Sequence, residues 1–307
     1  FCCKPCFNIS TKIQFLFNLV PHKQKPMNDI VEGPVTIDVR EVIASKNRSL
    51  AKYTPKFVIN FIKRLIHQDE LNVFFAKTPG LKGHDFAKAA LNELNVKGNI
   101  LYTNKSSIKE EGRYIFVSNH PLGGLDGLIL ISEIGKCFNN NIKFVVNDFL
   151  MHIKPLEPIF VPVNKIGNMN RGNLEKFEQA YSSSSQILYF PAGLCSRLIG
   201  GKVSDTEWKN SFIKQAIKYN REIIPVYFSG ENSKFFYRLA KVRKFLKIKF
   251  NIEMCMLPDE MFKKKNTTFD VVIGEPIPVQ QLTGDNISEI CRQIRGMAYS
   301  LKDKLSR

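Results

Sequence analysis

No stretch of this sequence approaches the roughly 18 consecutive apolar residues that a membrane-spanning helix requires. Its clean apolar runs are short, as at residues 128–131. Acid is scarce: 28 Asp and Glu stand against 45 Lys and Arg, a formal charge of +17. Such an excess calls for an anionic partner, and nucleic acid, an anionic membrane surface or an acidic protein would each serve. Gly and Pro, at 18 and 15 of 307 residues, are too few for a collagen-like or low-complexity chain. Histidine is sparse too, and His22, His67, His84 and His152 lack the spacing of metal ligands, so no metal is expected. Core material, in contrast, is plentiful. With 44% hydrophobic residues and 24 Phe the chain is not globally disordered, and its length suits one large α/β domain or two small ones.

Three of the seven cysteines cluster and the other four are scattered. Cys2, Cys3 and Cys6 fall near the start with no second cluster to complete a zinc site. Cys137, Cys195, Cys255 and Cys291 lie far apart in mostly apolar settings, the pattern of reduced, buried small hydrophobes in a cytosolic protein. The chain starts at Phe1 and its first Met is Met27; residues 1–26 carry four Lys, no acid and no assignable period. They match a signal peptide poorly. They are expected to be a disordered upstream extension outside the native protein, with translation starting at Met27.

No internal repeat is visible. From Tyr53 to about Val96 the pattern is helical: Phe57, Val58, Phe61, Ile62, Leu65 and Ile66 recur at i, i+3, i+4, and Pro79-Gly80 breaks the run. From Tyr114 short β-branched runs appear, at 114–118, 142–146, 159–163, 187–190, 223–228, 250–256 and 269–273. Helical stretches lie between several of them, at 125–134, 174–181, 207–219 and 233–244. The third of these is expected to open on a capping box, Ser204-x-x-Glu207. Strands alternating with helices predict an α/β fold, a mostly parallel central sheet flanked by helices. The expected layout is a single domain over 27–307: a helical cap at about 53–96, an α/β core at about 100–280 and a C-terminal helix over 287–304.

The most informative stretch is Asn119-His120-Pro121-Leu122-Gly123-Gly124-Leu125-Asp126. It follows an apolar strand and precedes a helix, where α/β sheets place their ligands. The two glycines loosen the turn, and Asp126 falls where a helix N-terminus favours a carboxylate. Asp126 can then hold one ring nitrogen of His120 while the other accepts a proton. By itself the pair fits a turn-capping His and a helix-capping Asp better than it fits a catalytic pair. A second stretch, Phe190-Pro191-Ala192-Gly193-Leu194-Cys195-Ser196-Arg197, also follows a strand. It offers a turn, a hydroxyl and a guanidinium suited to phosphate or carboxylate. Ile224-Pro225-Val226 is a buried strand with a Pro.

In this order, these pieces resemble the lysophospholipid acyltransferase superfamily, of the glycerol-phosphate acyltransferase type. The resemblance spans roughly Tyr53 to Val279. It is narrowest to the bacterial hemolysin-like branch, which includes enzymes acylating lyso forms of ornithine and glycine lipids. The sequence departs from the superfamily pattern in three places. Five residues rather than four separate His120 from Asp126, Ala192 replaces a Glu, and Asn164 stands where an Arg usually follows a strand. What the resemblance implies is an O-acyltransferase with no bound cofactor, moving an acyl group from an acyl carrier protein or CoA thioester to a lysolipid hydroxyl. His120 would be the general base and Asp126 its orienting partner, with no acyl-enzyme. Asn119, Gly123, Gly124, Asn164, Phe190, Pro191, Gly193, Ser196 and Arg197 would meet the substrate, and Arg197 or Lys202 would hold its head group.

The positive charge has a local maximum. Between Asn232 and Ile252 no acid interrupts Lys234, Arg238, Lys241, Arg243, Lys244, Lys247 and Lys249, which alternate with Phe235, Phe236, Leu239, Val242, Phe245 and Leu246. This reads as a basic amphipathic helix running into a strand. It suits an anionic membrane surface, an acidic acyl carrier protein, or a solvated helix covering the sheet. The resemblance favours a peripheral position on the inner face of the cytoplasmic membrane. A non-catalytic, hemolysin-like lipid-binding protein is the alternative. Nucleic acid is not expected as a partner, because no helix-turn-helix, zinc-finger or RNA-binding motif accompanies the charge.

Overall fold

The structure, a computed structural model, describes residues 36–46, 52–147, 150–151, 153–163, 171–248, 251–283 and 286–306. The expected extension over 1–26, Asn164 and His152 lie outside the described residues. The described helices are α1 (Val39–Lys46), α2 (Lys56–Leu65), α3 (Gln68–Lys77), α4 (Gly83–Leu94), α5 (Leu125–Cys137), α6 (Arg171–Ser182), α7 (Ser211–Tyr219), α8 (Lys234–Phe245), α9 (Leu257–Phe262) and α10 (Ile287–Ser300). The strands are β1 (Lys97–Tyr102), β2 (Tyr114–Ser118), β3 (Ile142–Asn147), β4 (Phe160–Val163), β5 (Gln186–Tyr189), β6 (Arg197–Ile199), β7 (Lys202–Ser204), β8 (Glu222–Phe228) and β9 (Thr268–Ile273).

The chain divides into two compact units. One comprises the residues up to Pro79 together with Ser233–Phe262; the other comprises Gly80–Asn232 and Lys263–Arg307. The helical run expected over 53–96 therefore splits at Pro79. Proline cannot continue a helix, so α3 stops at Lys77. α4 falls in the larger unit, with the sheet.

In the larger unit seven strands form one sheet in the order β1-β9-β8-β2-β5-β3-β4. Every neighbouring pair is parallel except β8 and β9. The fold is thus α/β with a mostly parallel sheet. β2 is buried at all five positions, as a strand covered on both faces must be. Ile115 and Val117 face a core shared with Ala180 and Tyr181 of α6, Phe212 and Ala216 of α7, and Ile294 and Ala298 of α10. Tyr114 and Phe116 face the other side, where both rings meet Phe138 at the end of α5. The chain leaves β2 toward β3 but leaves β5 toward β8, in opposite directions across the sheet. Such a divergence opens a crevice at the carboxyl ends of the strands. Val117 and Tyr189 are register partners, so the loops that follow β2 and β5 emerge side by side.

In the smaller unit Val39, Ile43 and Ile59 form a small core with Ile62 and Ile66 packed on it. Ser233 caps α8, accepting from Phe236 N–H at 3.2 Å while its hydroxyl donates to Glu260 at 2.6 Å. The buried Glu253 pairs with Arg243 at 2.9 Å.

Several sequence expectations are corrected. The strand expected over 250–256 is a 3₁₀ turn (Ile252–Met256) that runs into α9, where Pro258 near the helix start favours helix entry. The basic α8 therefore runs into a turn and not into a strand. Ser204 opens no helix: it ends the β6–β7 hairpin opposite Arg197, and α7 starts only after Asn210. β1 and the hairpin were not foreseen. Cys195 and Cys291 are buried as expected, but Cys137 is exposed and Cys255 half-buried.

Candidate active site

His120 stands two residues past the end of β2, and Asp126 is in the first turn of α5. Gly123 adopts φ +78°, a left-handed conformation that turns the backbone within the five-residue separation. His120 Nδ1 and Asp126 Oδ2 lie 2.9 Å apart. Asp126 is fully buried, and its carboxylate also accepts from the N–H groups of Leu122 at 2.9 Å, Gly123 at 3.2 Å and Gly127 at 2.9 Å. Burial by itself would push this carboxyl up. Attraction to His120 and the hydrogen bonds from His120, Leu122 and Gly123 outweigh it and hold the group below the ordinary carboxylate range. An ionised Asp126 requires a proton on Nδ1, which leaves the Nε2 lone pair of neutral His120 as the acceptor.

The two sequence motifs converge here. The His120 ring stacks on Phe190, with centroids 3.9 Å apart and planes at 18°. Phe190 in turn meets Phe144 edge-on at 5.4 Å. Gly193, at φ +63°, closes the turn by donating its N–H to Phe190 C=O at 3.0 Å. The Pro191 carbonyl accepts from Lys209 N–H at 3.1 Å. Ala192 is buried in the sheet core beside Trp208 and Phe212, a setting with no room for the charge of the usual Glu.

Other residues expected to meet the substrate also bond within the protein itself. The Asn119 side chain donates to Phe228 C=O at 2.9 Å and accepts from Phe228 N–H at 2.7 Å, tying the end of β2 to β8. It is buried and acts as a strap between the two strands. Ser196 is likewise buried, and its hydroxyl donates to Asp205 at 2.5 Å. The Gly123 N–H is taken by Asp126. Gly124 is half-buried just before α5. The half-buried Arg197 folds back to donate to Cys195 C=O at 2.6 Å. Lys202 is exposed on the hairpin.

Asp205 was not foreseen, nor were Trp208, Arg295 and Tyr299 around it, because nothing local in Ser-Asp-Thr-Glu-Trp distinguishes a buried carboxylate. A cysteine nucleophile is ill suited to this site. Cys195 is buried with its thiol on Pro121 C=O at 3.3 Å, and burial together with the nearby Asp126 pushes that thiol well up. His67 pairs with Glu70 and Asp259 and stacks on Phe262, while His84 contacts Asp85 and Ser132 C=O. Among the described residues, no group of three or more His, Cys, Asp or Glu is placed to hold a metal.

Among solved structures, the 1-acyl-sn-glycerophosphate acyltransferase PlsC of Thermotoga maritima overlays with a TM-score of 0.46 at 15% identity, covering 85% of this chain and 93% of its own. A lyso-glycine lipid O-acyltransferase of Phocaeicola vulgatus is 43% identical over 244 residues, 80% of this chain and 87% of that protein. Its namesake in Bacteroides thetaiotaomicron is 44% identical over 80% of this chain and 89% of its own. Residues 41–307 match the family model described as acyltransferase, a span that takes in both site loops and α10. With His120 and Asp126 joined at the sheet's carboxyl end inside that span, the chain belongs to the acyltransferase family and is an acyltransferase.

Proposed function

We propose that this acyltransferase moves a fatty acyl group from an acyl carrier protein or CoA thioester to the hydroxyl of a lyso amino-acid lipid, foremost a lyso-glycine lipid. The observation that carries this reading is the 2.9 Å His120–Asp126 contact in a chain whose relatives are named for that O-acyl transfer. In the proposed reaction the acceptor hydroxyl attacks the thioester carbonyl carbon as its proton passes to His120 Nε2, and the new C–O bond forms. Collapse of the tetrahedral intermediate breaks the C–S bond. The leaving thiolate takes the proton from the imidazolium, so ester and free thiol form with nothing left on the enzyme. Asp126 stabilises the transient imidazolium, and general-base help of this kind is worth about 10²–10⁴-fold in rate.

The reading also puts the protein at an anionic membrane on the cytoplasmic side, where its lipid acceptor resides. Among the described residues no helix is long and apolar enough to cross a bilayer. The smaller unit nevertheless exposes large apolar side chains beside cations. On α2, Phe57 is 74% and Phe61 62% exposed, one turn apart, with Lys56 and Arg64 also exposed. On α8, Phe235 and Val242 share a face, Phe245 is 84% exposed, and Lys234, Arg238, Lys241 and Lys244 line the same helix. Exposed rings among cations suit the headgroup boundary, each basic residue adding about 1 kcal/mol near an anionic surface.

The test is turnover on vesicles containing lyso-glycine lipid, with and without anionic phospholipid, and lysophosphatidic acid as a competing acceptor. The expected result is O-acylated lyso-glycine lipid and free thiol in equal amounts, with the protein sedimenting on anionic vesicles. Preference for lysophosphatidic acid would move the acceptor. Lipid binding without thiol release would make the protein a non-catalytic, hemolysin-like one. Sedimentation with neither vesicle would remove the membrane role.

A further inference from the structure

The peptide unit of His120 is held from both sides by residues far along the chain. Its N–H donates to Asp205 Oδ1 at 3.1 Å, and its C=O accepts from Ser196 N–H at 2.7 Å. The Ser196 hydroxyl donates to the same Asp205 oxygen at 2.5 Å, which closes a ring through the three residues. Asp205 Oδ2 accepts from the Trp208 indole N–H at 2.8 Å. Three donors thus converge on one side chain that is 1% exposed. The His120 and Trp208 N–H groups can only donate, so both oxygens of Asp205 must accept; burial pushes this carboxyl up, and the bonds from Ser196, Trp208 and His120 oppose that rise.

The backbone of Asp205 is fixed by α10. Its N–H donates to the Tyr299 hydroxyl at 2.8 Å, and its C=O accepts from Arg295 at 3.0 Å. Arg295 also donates to Ser204 Oγ at 2.8 Å and lies over the Tyr299 ring at 4.8 Å. A buried carboxylate is costly unless its geometry is used. Of its partners, Ser196 also bonds the peptide carrying His120, so that peptide is held on both sides by Asp205 and Ser196.

We propose that Asp205 is a positioning residue for acyl transfer: it fixes the His120 main chain so that the imidazole stays between Asp126 and the Phe190 ring, and it makes α10 part of the catalytic apparatus. The proposal rests on the reading of His120 as the base. Displacing a reacting group by about 1 Å costs on the order of 100-fold in rate without weakening substrate binding.

Asp205→Asn brings an amide N–H₂ against at least one of the three donors. Its kcat is expected to fall about 10–100-fold with KM within about twofold. Trp208→Phe removes the indole donor, so the double variant Asp205→Asn/Trp208→Phe is expected to regain kcat relative to Asp205→Asn. Tyr299→Phe, which takes the acceptor from the Asp205 N–H, is expected to lower kcat several-fold in protein that stays folded at the assay temperature. The proposal is overturned if Asp205→Asn and Tyr299→Phe keep wild-type kcat, or if every loss of rate simply follows the fraction of folded protein. His120→Ala is the control. If it is inactive while Asp205→Asn is fully active, only the positioning role falls; if it is itself fully active, the general-base reading falls too.

Discussion

Changing Asp126 to Asn is expected to lower kcat by about 10²–10⁴-fold while leaving KM for the lysolipid nearly unchanged. The fully buried carboxylate accepts from four N–H groups, those of His120, Leu122, Gly123 and Gly127. An amide in its place must turn an N–H₂ toward one of them. If it faces Gly127, a buried donor is left opposing a donor, and the negative charge that stabilises the imidazolium is gone. If it faces His120, Nδ1 becomes the acceptor and the proton moves to Nε2, so the base is lost. Either outcome cripples the chemistry and spares acceptor binding. The same carboxyl also shapes acid stability. Its folded-state value lies below the ordinary range, because attraction to His120 and the hydrogen bonds outweigh burial. Its contribution is therefore present above the unfolded-state value and lost as pH falls through the folded-state value. The gap in unfolding free energy between the wild type and Asp126→Asn should narrow as pH is lowered through that range.

The second large effect is on stability, at the opposite end of the parallel strands. Arg221 is fully buried, and its guanidinium donates to Tyr181 C=O at 2.8 Å, Ser185 C=O at 2.7 Å, Ala180 C=O at 3.3 Å and Ser183 C=O at 2.5 Å. These carbonyls end α6 and lead into β5, where orphaned acceptors and the negative end of the helix dipole both favour a cation. Arg113 adds bonds to Tyr181, Ser182 and Ser183 C=O. Burial and the neighbouring Arg113 pull the Arg221 guanidinium down to about 10, so it remains charged at neutral pH. Arg221→Met strips the donors from a buried turn and should cost about 3–5 kcal/mol. For a unit of this size that is roughly 6–20 °C in melting temperature. Because Arg221 touches no residue of the His120 loop, kcat per folded molecule should stay at the wild-type value below the melt.

What the sequence disclosed and what it hid follow one physical division. Runs such as 114–118 and 223–228 are apolar enough to sit in a sheet covered on both faces, so β2 and β8 were legible to within a residue. Gly123, Gly124 and Gly193 flagged the loops that carry His120 and Phe190, since tight turns demand them. Lys97–Tyr102 alternates between exposed and half-buried positions at the sheet edge, and that weak pattern hid β1. The stretch over 252–256 has strand-like composition, but helix α9 follows at once and the segment turns. Ser204 and Glu207 match a capping box by type. Whether Ser204 caps a helix or receives Arg295 is decided by residues about ninety positions away, and no local pattern carries that. The same holds for Asn119 and Ser196: their identity announced hydrogen bonding, and only the packed chain shows that the partners are Phe228 and Asp205.

The role of His120 is tested most directly by rapid-quench turnover of wild type and His120→Ala, with an acyl thioester and lyso-glycine lipid, following thiol, acylated lipid and intact protein mass together. Wild type is expected to release thiol and acylated lipid in step with no acyl-protein adduct, and folded His120→Ala to lose at least about 100-fold of that rate. Near-wild-type turnover in folded His120→Ala, or a covalent acyl-protein that forms and decays at the rate of product formation, would contradict direct transfer by a His120 base.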